Sequence, residues 1–358
     1  MGKIKIGILG ATGMVGQRLV TLLANHPWFE VKCLAASASS AGERYADAVE
    51  GRWKIKDSVP EYSKNMILKK AEEDAAVICD NVELVFSALG LEREKIMELE
   101  ENYASRGIAV VSNNSAHRWT DDVPMIIPEV NPEHANLIGI QRKNRGWKKG
   151  LIAVKPNCSI QSYVPVIKAL EDFKPQKIVV TTLQAISGAG KTFDSWPEIL
   201  DNAIPFIQNE EEKSEKEPLK VLGKMGKNGI KMANSPKISA TCIRVPAADG
   251  HMASVEIGLG EKTTEKKIIE AINDYKNPIA DLNLPSCPKH FMKYFEEDDR
   301  PQTKLDRNLE NGMGISVGRL RKGDVLGWKF VSLSHNTIRG AAGGAILTAE
   351  LLKKKGYL

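Results

Sequence analysis

Cysteine is scarce in this chain. Five residues, Cys33, Cys79, Cys158, Cys242 and Cys287, stand far apart among 358, odd in number and nowhere as CxxC. That spacing argues against cysteine zinc sites and a disulfide framework, and no metal site is expected. A cytoplasmic protein with at most one chemically special thiol is the reading that follows. Long apolar runs are missing too, none approaching the ~18 residues a membrane helix needs, so no membrane partner is expected. The apolar start, Ile4–Leu9, is short and broken by Gly7, so no signal peptide is expected. Ile6 stands where a myristoylation signal would carry Ser or Thr. Neither sign of charge dominates: 50 Lys+Arg against 45 Asp+Glu leave a net charge of +5. The basic residues are scattered, whereas nucleic-acid binding needs a clustered stripe; small anionic ligands suit this balance better. With 42% hydrophobic and 27% charged residues, disordered and collagen-like classes are excluded.

What is present is a two-part texture, and the length allows two domains, since single cores stop growing at roughly 250–300 residues. In the first part, strands are expected at Lys3–Leu9, Phe29–Ala36, Leu84–Ala88 and Ile108–Val111. Helices are expected at Val15–Ala24 and around Glu92–Tyr103. Such alternation implies an α/β unit with a parallel sheet covered on both faces. After Pro156 longer strands follow at Lys177–Gln184, Lys237–Val245, Met252–Leu259, Met313–Leu320 and Val325–Ser334. These imply a second unit of the α+β kind, with an antiparallel or mixed sheet. The charged run Asn209–Lys220 reads as a surface insertion. Thr337–Tyr357 has a helical apolar face and is expected to return to the first unit. The division is therefore 1–155 with 336–358, and 156–335.

Gly10-Ala-Thr12-Gly13-Met14-Val15-Gly16 follows the first strand and opens a helix. Glycines let the backbone approach a diphosphate, which the free N–H groups of a helix start stabilise. An acid about 20 residues further on would bind the free 2′-hydroxyl of NAD. The second strand instead ends in Ser37-Ala-Ser39-Ser40, with Arg44 nearby, which suits a 2′-phosphate. Ala185–Thr192 imitates a P-loop, but Ala185 replaces its first glycine, and no second nucleotide site is expected.

Cys158 lies in Pro156-Asn157-Cys158-Ser159, before the helical run Val164–Leu170. A thiol near a helix start should have a lowered pKa. Cys33, Cys79 and Cys242 lie in apolar or strand segments and read as core. Thiolate and nicotinamide together suggest aldehyde chemistry through a thioester, which needs an acid/base. His26, His117, His134 and His290 stand in polar stretches and read as surface residues. Spacing does not choose between His251 and His335.

Five ordered motifs then become informative: the glycine loop, Asn157-Cys158-Ser159, Gln184-Ala-Ile-Ser187-Gly188-Ala-Gly190, Arg244-Val-Pro…Asp-Gly-His251 and Asn336-Thr-Ile-Arg-Gly-Ala-Ala342. Together they resemble the aspartate-semialdehyde dehydrogenase family, and its archaeal and fungal branch above all, nearly end to end. The resemblance implies a Rossmann-like dinucleotide-binding domain and an α+β catalytic and dimerisation domain with a mixed sheet. It implies NADPH-dependent reduction of 4-aspartyl phosphate to aspartate 4-semialdehyde and phosphate, and a homodimer or homotetramer. Cys158 would be the nucleophile, His251 the acid/base, and Gln184 would orient the substrate. Arg244 would hold the α-carboxylate, Glu217 the α-amino group, and Lys220 and Arg118 the phosphate, with Asn157 beside them. NADP would meet Gly10, Thr12, Gly13, Met14, Val15, Ser37, Ser39, Ser40, Ser87, Ser187, Gly188 and Asn336. Three positions depart from the pattern. Ser39 replaces a common Arg, Met252-Ala253 follow His251, and Gln161 resembles malonyl-CoA reductase, which uses the same thiol chemistry. A nucleotide-sensing protein without turnover is the reading from another class.

Overall fold

Short strands that are apolar throughout need cover on both faces, and the first half of the chain provides it. In the computed structural model, which describes residues 2–227 and 229–358, six strands form the first sheet: β1 (Ile4–Leu9), β2 (Phe29–Ala36), β3 (Lys69–Lys70), β4 (Leu84–Ser87), β5 (Ala109–Ser112) and β6 (Leu151–Val154). Their spatial order is β3-β2-β1-β4-β5-β6, and every pairing is parallel. β4, β5 and β6 are buried at every residue. The order reverses between β1 and β4, which places a ligand crevice beyond their carboxyl ends.

The two-residue strands β8 (Lys224–Met225) and β9 (Ile230–Lys231) form a separate ribbon. The second sheet contains β7 (Pro175–Gln184), β10 (Lys237–Arg244), β11 (His251–Leu259), β12 (Met292–Phe295), β13 (Ile315–Gly323) and β14 (Gly327–Ser334). Its order is β10-β7-β11-β14-β13-β12. The β10/β7 and β12/β13 pairs are parallel and the others antiparallel, so the sheet is mixed as expected. One apolar cluster runs from Leu9, Val85 and Val110 through Ile160 and Val164 to Val180, Val255 and Ile315. The two sheets therefore share a continuous core. The other face of the first sheet is covered by the helix Gly343–Lys354, whose Ile346, Leu347 and Leu351 pack with Ile6, Ile8 and Val111.

Two expectations fail. The charged run is no insertion: it forms the helix Glu210–Val221 with Glu210, Ser214, Glu217, Pro218, Lys220 and Val221 buried. Glu210, Ser214, Glu217 and Val221 recur at helical spacing, so one face of a highly charged helix points inward. Three of the four supposed surface histidines are buried. His26 bonds Glu350 at 2.8 Å, His134 lies 3.0 Å from the Gly223 carbonyl and 2.8 Å from Asn131, and His117 meets Thr120 at 3.2 Å. Near neighbours, and for His26 and His134 the distant Glu350 and Gly223, satisfy these rings. His290 is exposed.

Candidate active site

The glycine loop is a cradle in which side chains have no room. Gly10 has φ +85°, and a Cβ there would lie 2.3 Å from the Ala88 carbonyl oxygen. At Gly16 a Cβ would lie 2.1 Å from the Gly10 carbonyl oxygen. Gly13 caps the helix Met14–Leu22 with no side-chain bond, and a Cβ there would meet nothing nearer than 3.6 Å. The loop opens into a cavity of about 380 Å³ whose walls include Gly10, Thr12, Gly13, Ser37, Ala88 and Leu89. This cradle at the β1/β4 reversal fits a dinucleotide.

The other expected cofactor residues are placed unevenly. Met14 is buried, and Val15 is half-buried against the core of the first sheet. Ser39 is exposed, its hydroxyl 2.9 Å from that of Ser37. Ser40 is buried and accepts from Arg52 at 3.4 Å. Arg44 pairs with Asp47 and does not line the cavity described above. Ser87 is buried and accepts from Asn114 at 3.0 Å, so its hydroxyl is already engaged. Asn336 donates to Ser187 at 2.8 Å and accepts the Gly250 N–H at 2.8 Å. Ala185–Thr192 carries only the single turn Ile186–Ala189, with no helix behind it, so the phosphate-loop imitation ends there.

Cys158 follows β6 and caps the turn Ser159–Ser162, which leads into the helix Val164–Ala169. That turn packs on β11 and β14 and on the helix Glu210–Val221. Burial pushes the thiol up to about 11, with Glu210 adding to the rise and Arg118, Arg244 and Lys155 opposing it. The expected lowering is thus reversed, because a single turn has little dipole and desolvation outweighs it. His251 is fully buried, and its Nδ1 accepts the Ala185 N–H at 3.0 Å while Nε2 has no partner. Burial first, and Arg244 second, lower its pKa to about 3, so the ring is neutral. Arg244 donates to the Ala185 carbonyl at 2.6 Å. Gly188 faces both: a Cβ there would lie 3.0 Å from Arg244 Nη1 and 3.1 Å from His251 Nε2. His335, the rival acid/base, is buried beside Thr337, with its Nδ1 facing the Ile338 N–H at 3.4 Å. Burial also lowers its pKa, to about 4.

The remaining expected residues form a mesh of charges. Glu217, wholly buried, takes Arg118 Nη1 at 2.8 Å on one oxygen and the Asn157 N–H at 2.6 Å on the other. Gln184 donates to Glu210 at 3.2 Å. The Asn157 side chain is used up: it donates to Glu210 and accepts from Ser159. Lys220 turns toward backbone, donating to the carbonyls of Arg118 at 2.6 Å and of Thr120 and Val123 at 3.3 Å. Burial lowers its pKa to about 8. It braces the segment carrying Arg118 rather than standing free for phosphate.

The semialdehyde dehydrogenase NAD-binding domain model matches residues 5–138, and the semialdehyde dehydrogenase dimerisation domain model matches 165–339. A protein of Archaeoglobus fulgidus named aspartate-semialdehyde dehydrogenase is 42% identical, covering 99% of each chain. The chain belongs to the semialdehyde dehydrogenase family. A crystal structure of aspartate semialdehyde dehydrogenase with NADP from Candida albicans superimposes with a TM-score of 0.88 at 36% identity, covering 100% of both chains. A Metallosphaera sedula protein named malonyl CoA reductase (NADP) is 38% identical, covering 99% of this chain and 98% of its own.

In this semialdehyde dehydrogenase three residues near the thiol escaped the sequence reading. Glu210 is held by Asn157 at 3.0 Å, Gln184 at 3.2 Å and Lys213 at 2.9 Å. Its place on the buried face of a charged helix was the available signal. Lys155 is buried behind Cys158, where desolvation lowers its pKa strongly. Gly340 lies in the turn Ile338–Ala342, and a Cβ there would sit 2.8 Å from Cys158 Cβ. Gln161 is wholly buried, with neither amide atom hydrogen-bonded.

Proposed function

We propose that this protein is an NADP-dependent aspartate-semialdehyde dehydrogenase that makes aspartate 4-semialdehyde from 4-aspartyl phosphate. The single observation that supports it best is the meeting of Arg244 and His251 around Gly188, beside a thiol that both Arg244 and Arg118 influence. A nucleotide sensor without turnover would have no use for that arrangement. Cys158 is the nucleophile. As its sulfur attacks the acyl carbon, the thiol proton passes to the leaving phosphate, while His251, whose Nδ1 accepts from Ala185, donates its Nε2–H to the acyl oxygen. Phosphate leaves with the electrons of the C–O bond, and a thioester forms. NADPH, when bound, supplies the hydride that reduces the acyl carbon. His251 stabilises the resulting oxyanion through its Nε2–H, and the C–S bond breaks as the oxygen re-forms the carbonyl, releasing the aldehyde and a Cys158 thiolate that takes a proton from solvent. Both groups are neutral in the empty site, so the proton moves only as the new bond forms. A substrate carboxylate paired with Arg244 cancels the positive field on the imidazole.

Arg244 holds the α-carboxylate through its guanidinium fork. Gln184 and Glu210 orient the acyl end, Glu217 receives the α-amino group, and Arg118 faces the phosphate. The glycine loop with Ser37 holds the nucleotide, and Gly188 with the Asn336–Ser187 pair borders its nicotinamide end. The nucleotide unit is 1–155 with 336–358, and the catalytic unit is 156–335, which pairs with a second copy in a homodimer or homotetramer. None of the described helices is long and apolar enough to cross a membrane; the cytoplasm, where NADPH and amino-acid precursors are found, is the compartment this reading favours. The test is NADPH formation from aspartate semialdehyde with and without phosphate. Phosphate-dependent formation is expected. NADPH oxidation by malonyl-CoA, with no phosphate-dependent activity, would decide for the CoA-thioester substrate.

A further inference from the structure

The Ser-rich end of β2 offers hydroxyls and no cation of its own, so a 2′-phosphate there would lack a counter-charge. The neighbouring strand supplies one. β3 pairs with β2 in parallel, with Lys70 directly beside Ala36, the residue before Ser37. Lys70 lines the nucleotide cavity together with Thr12, Gly13, Ser37 and Ala38. Lys69, beside Ala35, alternates to the other face and is not in that wall. Arg44 and Arg52 stand near the turn, but neither belongs to the lining described. Lys95 does belong to it, from the helix Arg93–Ser105 that follows β4.

We propose that Lys70 is the cation that recognises the 2′-phosphate of the dinucleotide, with Ser37 as its neutral partner. This rests on the reading of the cofactor as NADP. The ribose carrying position 2′ belongs at the end of β2, where families of this architecture place either an acid for the free hydroxyl or a cation for the phosphate. Here the cation arrives from the adjacent strand. In the empty site Lys70 is held by Glu73, whose side chain is 63% exposed. An ion pair so open to water holds weakly, whereas a phosphate dianion beside Ser37 offers Lys70 a charge-assisted bond in a walled site. Glu73 can turn out to solvent as the phosphate arrives. Glu72 on the same wall is paired with Lys95 at 2.9 Å, which limits its repulsion.

Calorimetric titration with 2′,5′-ADP and with 5′-AMP, at low and fixed salt, tests this without turnover. The unaltered protein should bind 2′,5′-ADP more tightly. Lys70→Met should weaken 2′,5′-ADP by ~10–100-fold and change 5′-AMP by less than about 3-fold. Retained 5′-AMP binding and an unchanged melting temperature show that the variant is folded. Glu73→Gln should tighten 2′,5′-ADP by ~2–5-fold by freeing the lysine. If Lys70→Met keeps the full preference, or if Lys95→Met alone removes it, Lys70 is not the determinant. If the unaltered protein binds both ligands equally, the NADP reading fails and takes this assignment with it.

Discussion

The nucleotide cradle and the thiol site are made by opposite means. The cradle depends on side chains that are missing: at Gly10 and Gly16 backbone meets backbone where no Cβ fits. The thiol site depends on side chains that crowd and neutralise one another, with Glu217 on Arg118, Glu210 on Asn157, Gln184 and Lys213, and Arg244 on a carbonyl. A backbone cradle comes from one stretch of chain. A charge mesh comes from the segments after β5 and β6, the ends of β7 and β10 and the helix Glu210–Val221 together. The first depends on volume alone, whereas the second depends on side-chain chemistry as well.

Cys158→Ala is the sharpest way to break that contrast. It removes the nucleophile and nothing from the cradle, so kcat should fall by ~10⁴-fold or more, while 2′,5′-ADP affinity stays within about 2-fold. Stopped-flow turnover and calorimetry measure the two sides. Appreciable turnover in the variant would remove the covalent mechanism.

Volume can then be tested in both regions. Gly16→Ala would force a Cβ to within 2.1 Å of the Gly10 carbonyl, and backbone cannot yield there. Nucleotide affinity should fall by ~100-fold with the loop opened. Gly340→Ala presses on Cys158, where a Cβ would lie 2.8 Å from the cysteine Cβ. A displacement of about 1 Å at the sulfur should cost ~10²-fold in kcat with nucleotide affinity unchanged. Equal kcat in Gly340→Ala and the unaltered enzyme would mean that the turn Ile338–Ala342 does not position the thiol.

Sequence reading reached these two regions unequally, for physical reasons. Strand alternation and the spacing of Gly10, Gly13 and Gly16 are local, and β2 appears with the bounds expected from its sequence. The choice between His251 and His335 was not local. It came from the family resemblance, and the geometry beside it is the free Nε2 of His251 facing Gly188 and Arg244. Glu210 was hidden in a run whose charge density suggested a solvated surface, although its spacing with Ser214, Glu217 and Val221 is helical. Lys155, three residues before the thiol, reads as an ordinary cation until β6 buries it. Gly340 lies within the Asn336–Ala342 motif, but only the fold brings it to Cys158.

Charge can be separated from volume at the thiol. Desolvation raises the Cys158 pKa to about 11 in the empty site, so the thiolate fraction grows as pH rises toward that value. Alkylation of Cys158 by iodoacetamide should therefore quicken ~10-fold per pH unit between about pH 7 and 9, without a plateau. Mass spectrometry of the modified peptide follows it. A plateau near pH 7 would show that the cations Arg118, Arg244 and Lys155 outweigh burial, and that the nucleophile is ionised before substrate arrives.

The smallest effect belongs to the glycine that the loop does not need for space. Gly13 begins the helix Met14–Leu22 with φ −79° and ψ 167°, values any residue adopts. A Cβ there has no neighbour nearer than 3.6 Å in the empty cradle. In the protein without nucleotide, Gly13→Ala should leave the melting temperature within about 2 °C, since it gains a little from reduced freedom of the unfolded chain and loses no contact. Only a diphosphate lying against the loop would meet the added methyl. The variant should therefore weaken 2′,5′-ADP modestly, by ~3–10-fold, through its 5′-phosphate. An affinity loss as large as that of Gly16→Ala would place the phosphate directly over Gly13. No loss at all would place it nearer Thr12 and the Gly10 end of the loop.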